Sequence, residues 1–294
     1  MRNSFVIAVA LALAATMLLS SARADRASSY YHQALALKKQ RKYKAAIAKL
    51  RDALRERDDY AAAHRSLGIL YRKLKKNNKA IHHLERATKL SSSSGQAFYS
   101  LGLAYYAAGY HKKALAALEK AAALSPKNAQ LIATLGSLMM RSDPERALAH
   151  LKKAITLDSR NANHYHQLGL AYRRAAVRAL RQKDKSKYDQ HLKHAEKQML
   201  VSLRMKESNA GLHFDLGALY RRLSKRDKAI RHYQRAVALK PTLAAAWWDL
   251  GHMLKMAKRY SDAIRALQKY VQLRAGTGSA RIAEKRIQEL KAKK

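Results

Sequence analysis

The sequence predicts an all-α fold built from repeated helix–turn–helix units, and three observations predict it. Leu-Gly recurs at Leu67-Gly68, Leu101-Gly102, Leu135-Gly136, Leu168-Gly169, Leu216-Gly217 and Leu250-Gly251. About twelve residues after each glycine an apolar triplet begins whose spacings are four and then three, as in Ala80/Leu84/Ala87 and Ala114/Leu118/Ala121; those spacings put each set on one helical face. Ala, Leu, Lys and Arg dominate, and only 11 Gly and 3 Pro punctuate 294 residues, a balance that favours helix over sheet and long loops. With 48% apolar and 27% charged residues the chain has enough hydrophobic material for a core.

The residue types follow from packing. Two antiparallel helices joined by a short turn approach closely only where side chains are small, so glycine on the first helix is expected to face alanine on the second. Larger residues then fill the gaps between repeats. Six of the 11 glycines share one structural position on this reading, which offsets their helix-interior cost of about 1 kcal/mol each.

The first Leu-Gly spacings are 34, 34 and 33, and Tyr71, Tyr105, Tyr172 and Tyr220 each stand three residues after a glycine. With Pro126 and Pro241 at repeat ends, the pattern resembles the tetratricopeptide-repeat family over nearly all of the chain beyond its N-terminal segment. Counting back from the glycines, the repeats run 27–60, 61–94, 95–128, 129–161, 162–209, 210–243 and 244–277, with Ala34 and Ala46/Leu50/Ala53 marking a weaker first copy. The resemblance implies a right-handed α-solenoid of about seven repeats, residues 25–277, closed by a C-terminal helix over 278–294 with Ala280, Ala283, Ile287 and Leu290 on one side and charge elsewhere. Pro144 follows Asp143, a capping residue with proline in the first turn behind it. Repeat five, at 48 residues, carries 14 extra between Tyr172 and Ala195. Both of its helices are expected to gain about two turns, carrying the hairpin about 10 Å beyond its neighbours.

The start of the chain is different. Arg2 precedes an uncharged run from Phe5 to Leu19, and Ala22-Arg23-Ala24 supplies small residues for cleavage after Ala24, so residues 1–24 read as a secretory signal peptide. An uncleaved anchor is the competing reading, but fifteen helical residues reach about 22 Å against a hydrocarbon core of about 30 Å. The expected location is periplasmic or secreted. The absence of cysteine removes lipidated cysteine, disulfide and thiolate chemistry.

Lys and Arg number 60 against 20 Asp and Glu, a net charge of +40. Such a field draws polyanions whatever their chemistry, and equally serves solubility. By the family resemblance, the inner groove is lined from the first helix of each repeat. Its fifth positions are Tyr31, Arg65, Tyr99, Ala133, His166, Phe214 and Trp248, and its twelfth positions Lys38, Arg72, Tyr106, Met140, Arg173, Arg221 and Lys255. An aromatic row beside a basic row suits an extended, acidic protein or peptide, because rings supply contact area and Arg or Lys supplies charge-assisted hydrogen bonds. Packing between repeats is the alternative role for any one of these rings. The ninth positions, Ile69, Leu103, Ser137, Leu170, Ala218 and His252, contain no Asn, so the carboxylate clamp known in some family members is not expected.

No phosphate-cradling glycine loop is present, the acids are scattered, and only His191/His194 among the histidine pairs has helical spacing. The sequence therefore predicts a binding scaffold rather than an enzyme, without cofactor or metal. An anionic polymer, either acidic polysaccharide or lipopolysaccharide, is the alternative partner, and a lipid headgroup a further one. Nucleic acid ranks below these because export would separate the protein from the cytoplasm.

Overall fold

The computed structural model describes the backbone of residues 2–293 and the side chains of residue 17 and residues 20–293. The chain divides into two compact units, Met1–Leu131 and Ile132–Lys294. Unit 1 contains α1 (Arg2–Lys39) with α2 (Tyr43–Glu56), α3 (Ala61–Lys73) with α4 (Asn77–Leu90), and α5 (Gly95–Ala107) with α6 (His111–Leu124). The boundary falls within α7 (Ala129–Met139). Unit 2 continues with α8 (Pro144–Leu157), α9 (Ala162–Arg181) with α10 (Lys185–Met205), α11 (Ala210–Arg222) with α12 (Arg226–Leu239), α13 (Ala244–Met256) with α14 (Tyr260–Leu273), and α15 (Gly278–Lys291). No strand occurs among the described residues. The fold is that of an all-α solenoid of tetratricopeptide repeats.

In the six hairpins that carry it the glycine does what small size allows: it faces the backbone of the triplet alanine, as at Gly102 and Ala114 O, 3.2 Å from a Cβ placed there, but its nearest neighbour is a larger side chain. A Cβ at Gly68 would stand 2.3 Å from Leu84 Cγ, and one at Gly217 would stand 2.7 Å from two carbons of the Tyr233 ring. The expectation that glycine faces alanine is extended accordingly: the large middle residue of each of these triplets drops onto the glycine, and the alanine beside it lets the helices close. Leu84, Leu118, Leu151, Met199 and Tyr233 are fully buried on this plan.

In six hairpins the turn from first to second helix uses one left-handed residue; the α7–α8 turn uses none. In the α3–α4 turn, Lys75 N donates to Arg72 O and Lys76 N to Tyr71 O, both at 2.9 Å, across Lys75 at φ 59°. Arg41, Lys183, Ser224 and Lys258 take the same conformation, and Gly109 at φ 84° is the one relaxed choice. The left-handed region costs an L-residue about 1–2 kcal/mol. The second helices are also poorly started: Lys42, Lys76, Lys225 and Arg259 stand at N-cap positions with no side-chain cap. By contrast Ser94, Asn161 and Asn209 cap first helices through their side chains, and Asp143 accepts from Arg146 N ahead of Pro144 in α8.

In unit 2, α9 and α10 have 20 and 21 residues where α11 and α12 have 13 and 14. Ala175, Ala176, Ala179 and Leu192 are buried along the added turns, while residues 180–187 at the tip are exposed. The last helix, α15, buries Ala280, Ala283, Ile287 and Leu290 and packs on α14. At the other end, the side chains of the expected signal peptide, residues 1–24, lie outside the described residues except at residue 17 and residues 20–24; the backbone from residue 2 is the helical start of α1. No helix among the described residues is long and apolar enough to cross a membrane.

Candidate functional site

The first helices of each unit carry the two rows of side chains, and the units treat them differently. In unit 1 Tyr31, Arg65 and Tyr99 are half-buried on α1, α3 and α5. Tyr31 packs on Tyr60 with ring centres 5.1 Å apart, and the Arg57 guanidinium covers Tyr60 at 3.7 Å. Arg65 donates to the neutral Gln96 of the next first helix. In the second row, Lys38 and Arg72 are half-buried and Tyr106 is 49% exposed. Arg72 Nε is buried and has no hydrogen-bond partner among the described residues. No ion pair engages Lys38, Arg65 or Arg72 there either.

In unit 2 the row contains its own acids. Asp215, on α11, accepts from His166 Nε2 at 2.9 Å and pairs with Arg173 Nη2 at 3.1 Å, so two expected groove residues of α9 converge on one carboxylate. Phe214 packs on Tyr233 at 5.8 Å. Trp248 is held between Tyr270, 5.0 Å away, and the Arg286 guanidinium of α15, 4.6 Å from its ring centre. Asp249, next to Trp248, has its pKa raised by burial, with the charge of Arg221 opposing the rise. Arg221 is exposed and Lys255 half-buried. Ala133 is fully buried and offers nothing to a ligand.

Reading fifth and twelfth positions alone missed Asp215 and Asp249. Both sit one residue beyond a fifth position, and acids are so scarce in this chain that each was visible as an exception. Also missed were two copies of one buried arrangement. His64 Nδ1 and His83 Nδ1 lie 3.1 Å apart, His64 Nε2 meets Asp58 O at 2.9 Å, and His83 stacks on Tyr71. His213, His232, Glu207 O and Tyr220 repeat it, with Nδ1 atoms 3.0 Å apart. Burial first, then neighbouring positive charge, pushes His83 and His232 down to about 4. Among the described residues no group of three or more His, Cys, Asp or Glu is placed to hold a metal ion.

Short antiparallel helix pairs, six of them closed by a large side chain seated on a glycine, define a helical-repeat protein. Family models of the tetratricopeptide repeat match residues 31–77 and 67–129, and a TPR-repeat model matches 217–256. The chain is a tetratricopeptide-repeat protein. Solved structures of similar fold include human IFIT1 in a dimer with m7Gppp-AAAA, at 18% identity and TM-score 0.65, covering 84% of this chain and 59% of that one. The chain thus spans 59% of the length of that IFIT1 chain. Pseudomonas aeruginosa pilF matches at 20% identity and TM-score 0.61, covering 81% of this chain and 99% of that one. TTC0263, a thermophilic TPR protein of Thermus thermophilus, matches at 23% identity and TM-score 0.54, covering 67% and 98%. At these identities the likeness is one of fold. No curated protein sequence matches the chain.

Proposed function

We propose that this protein is a non-enzymatic interaction scaffold, exported to the periplasm or beyond, that holds an extended, acidic protein or peptide against the first-helix face of unit 1. Tetratricopeptide repeats bind protein or peptide partners, and that supports the general role. The observation that carries the particular reading is that Lys38, Arg65 and Arg72, half-buried on this face, enter no ion pair among the described residues. A ligand carboxylate reaching the outer guanidinium nitrogens would form the charge-assisted hydrogen bonds these cations lack. Tyr31, Tyr99 and Tyr106 supply apolar contact area. In unit 2 Asp215 already answers His166 and Arg173, so Phe214, Trp248, Arg221 and Lys255 serve there as secondary contacts.

Titration with acidic peptides of extended character tests this. Binding should be lost in Arg65→Ser/Arg72→Ser with helicity unchanged, and retention of full affinity would refute the assignment. Ring contacts should preserve much of the affinity at high salt. Export is tested separately by fusing residues 1–30 to an enzyme active only outside the cytoplasm; activity confined to the cytoplasm overturns it.

A further inference from the structure

Three turns far apart in sequence meet on one edge of unit 1. Residues 39–44, 73–79 and 107–113 close the α1–α2, α3–α4 and α5–α6 hairpins, and antiparallel hairpins packed in succession place those closures on one side. Two contacts show them to be neighbours. Lys73 Nζ lies 4.4 Å from the centre of the Tyr43 ring, and Asn77 Nδ2 donates to Ala107 O at 2.9 Å. These 20 residues include ten Lys and Arg, all exposed, and no Asp or Glu. None of the ten enters an ion pair among the described residues.

Folding does not call for these charges. Arg41 and Lys75 hold left-handed conformations where Gly109 serves the third turn without strain. Lys42 and Lys76 stand at uncapped helix starts, where positive charge opposes the helix dipole. Four of the seven acids of this unit stand together elsewhere: Asp52, Glu56, Asp58 and Asp59 lie between the last turns of α2 and the start of α3, where Arg55 and Arg26 pair with Asp52 and Glu56. The matching turns of unit 2 are moderated by carboxylates, since Asp184 caps α10, Glu196 pairs with Lys225 and Asp262 holds Arg259 and Arg265.

We propose that the acid-free edge of unit 1 is a second interaction surface, separate from the first-helix face, that binds double-stranded nucleic acid through its phosphates without reading sequence. Packed helices lie 8–10 Å apart, so three hairpins span about 25 Å and ten cations give about one charge per 2.5 Å. Duplex nucleic acid presents one phosphate per about 1.7 Å of axis, part of it turned to any one face. That density answers the whole edge. A polysaccharide with one carboxylate per sugar, or a membrane whose anionic headgroups are diluted among neutral ones, would leave most of the ten unmatched. Nine of the ten are lysines, mobile point charges that sense phosphate and have no fixed fork for a base edge. An exported chain would meet such a duplex outside the cytoplasm.

The test is a salt titration of the full chain with a short random-sequence DNA duplex. Six to ten phosphate contacts predict a slope of log K against log salt of about −5 to −9. The variant R41E/K42E/K75E/K76E should reduce that slope by about 3–4 and weaken binding at low salt at least about 100-fold. A control with the same change of charge on the C-terminal segment, R281E/K285E/K291E/K293E, should stay within about threefold of the parent. Circular dichroism and thermal melting confirm that both variants are folded. Equal losses in the two variants, or none in the first, overturn the proposal. So does tighter retention on a sulfated polysaccharide or phosphatidylserine vesicles than on duplex at equal salt. Arg65→Ser/Arg72→Ser should abolish peptide binding and leave duplex binding intact, which keeps failure of this surface distinct from failure of the groove.

Discussion

Gly217→Ala gives the sharpest test of how the hairpins close. The new Cβ would stand 2.7 Å from Cδ1 and Cε1 of Tyr233, a fully buried ring. Ordinary carbon contacts begin near 3.5 Å, so the ring or helix α12 must retreat by about 0.8 Å. Such overpacking costs about 1–3 kcal/mol, against a helix-propensity gain of about 1 kcal/mol for replacing glycine. A net loss of up to about 2 kcal/mol is expected by urea unfolding, followed through Trp247 and Trp248 on the neighbouring α13. Tyr233→Ala should cost less in the Gly217→Ala background than alone, because removing the ring removes the atoms that the new Cβ meets. Gly211→Ala is the internal comparison, since its Cβ meets nothing closer than 3.4 Å. If Gly217→Ala proved as harmless as Gly211→Ala, or the cycle showed no coupling, the close-approach account would fail.

Further outcomes follow from other contacts. His83 and His232 are depressed toward about 4, so the unfolded chain binds more protons between pH 6.5 and 4; stability should be complete above pH 6.5 and fall as pH drops through that window, a decline that His83→Gln/His232→Gln should flatten in thermal melts. The groups facing them, His64, His82, Arg51 and Lys79 in one case and His213, Arg231 and Lys228 in the other, add positive charge that works in the same direction. Asp215→Asn removes the shared carboxylate of His166 and Arg173, and should cost about 1–2 kcal/mol while tightening any acidic-peptide binding to unit 2. Unchanged binding and stability would mean that the pair is incidental. Lys75→Gly should stabilise by about 0.5–1 kcal/mol through relief of the left-handed strain and weaken duplex binding, readable as a rise in melting temperature beside a lower affinity.

Much of the architecture was legible because it is local and periodic. Leu-Gly, the tyrosine three residues on, and the Ala/Leu/Ala triplet each fix one helical face, and helical faces depend only on spacing along the chain. The partner of each glycine was not legible: alanine and leucine lie one turn apart on the same face, and only the depth of approach decided that Leu84 and Tyr233, rather than their alanines, meet Gly68 and Gly217. The site divides the same way. Aromatic and basic rows could be read by position, yet their state could not, since Asp215 reaches His166 and Arg173 from 49 and 42 residues away in sequence.

The sequence by itself determined the helices, their pairing into hairpins, the repeat and the excess of positive charge, because all of these are properties of neighbours along the chain or of composition. Tertiary structure decided which cations are answered and which are not. Stacking carries Arg173 onto a carboxylate in unit 2, leaves Arg72 Nε without an acceptor among the described residues in unit 1, and gathers three acid-free turns onto one edge. Electrostatic energy depends on separation in space, and the repeat sets that separation only after the hairpins have packed.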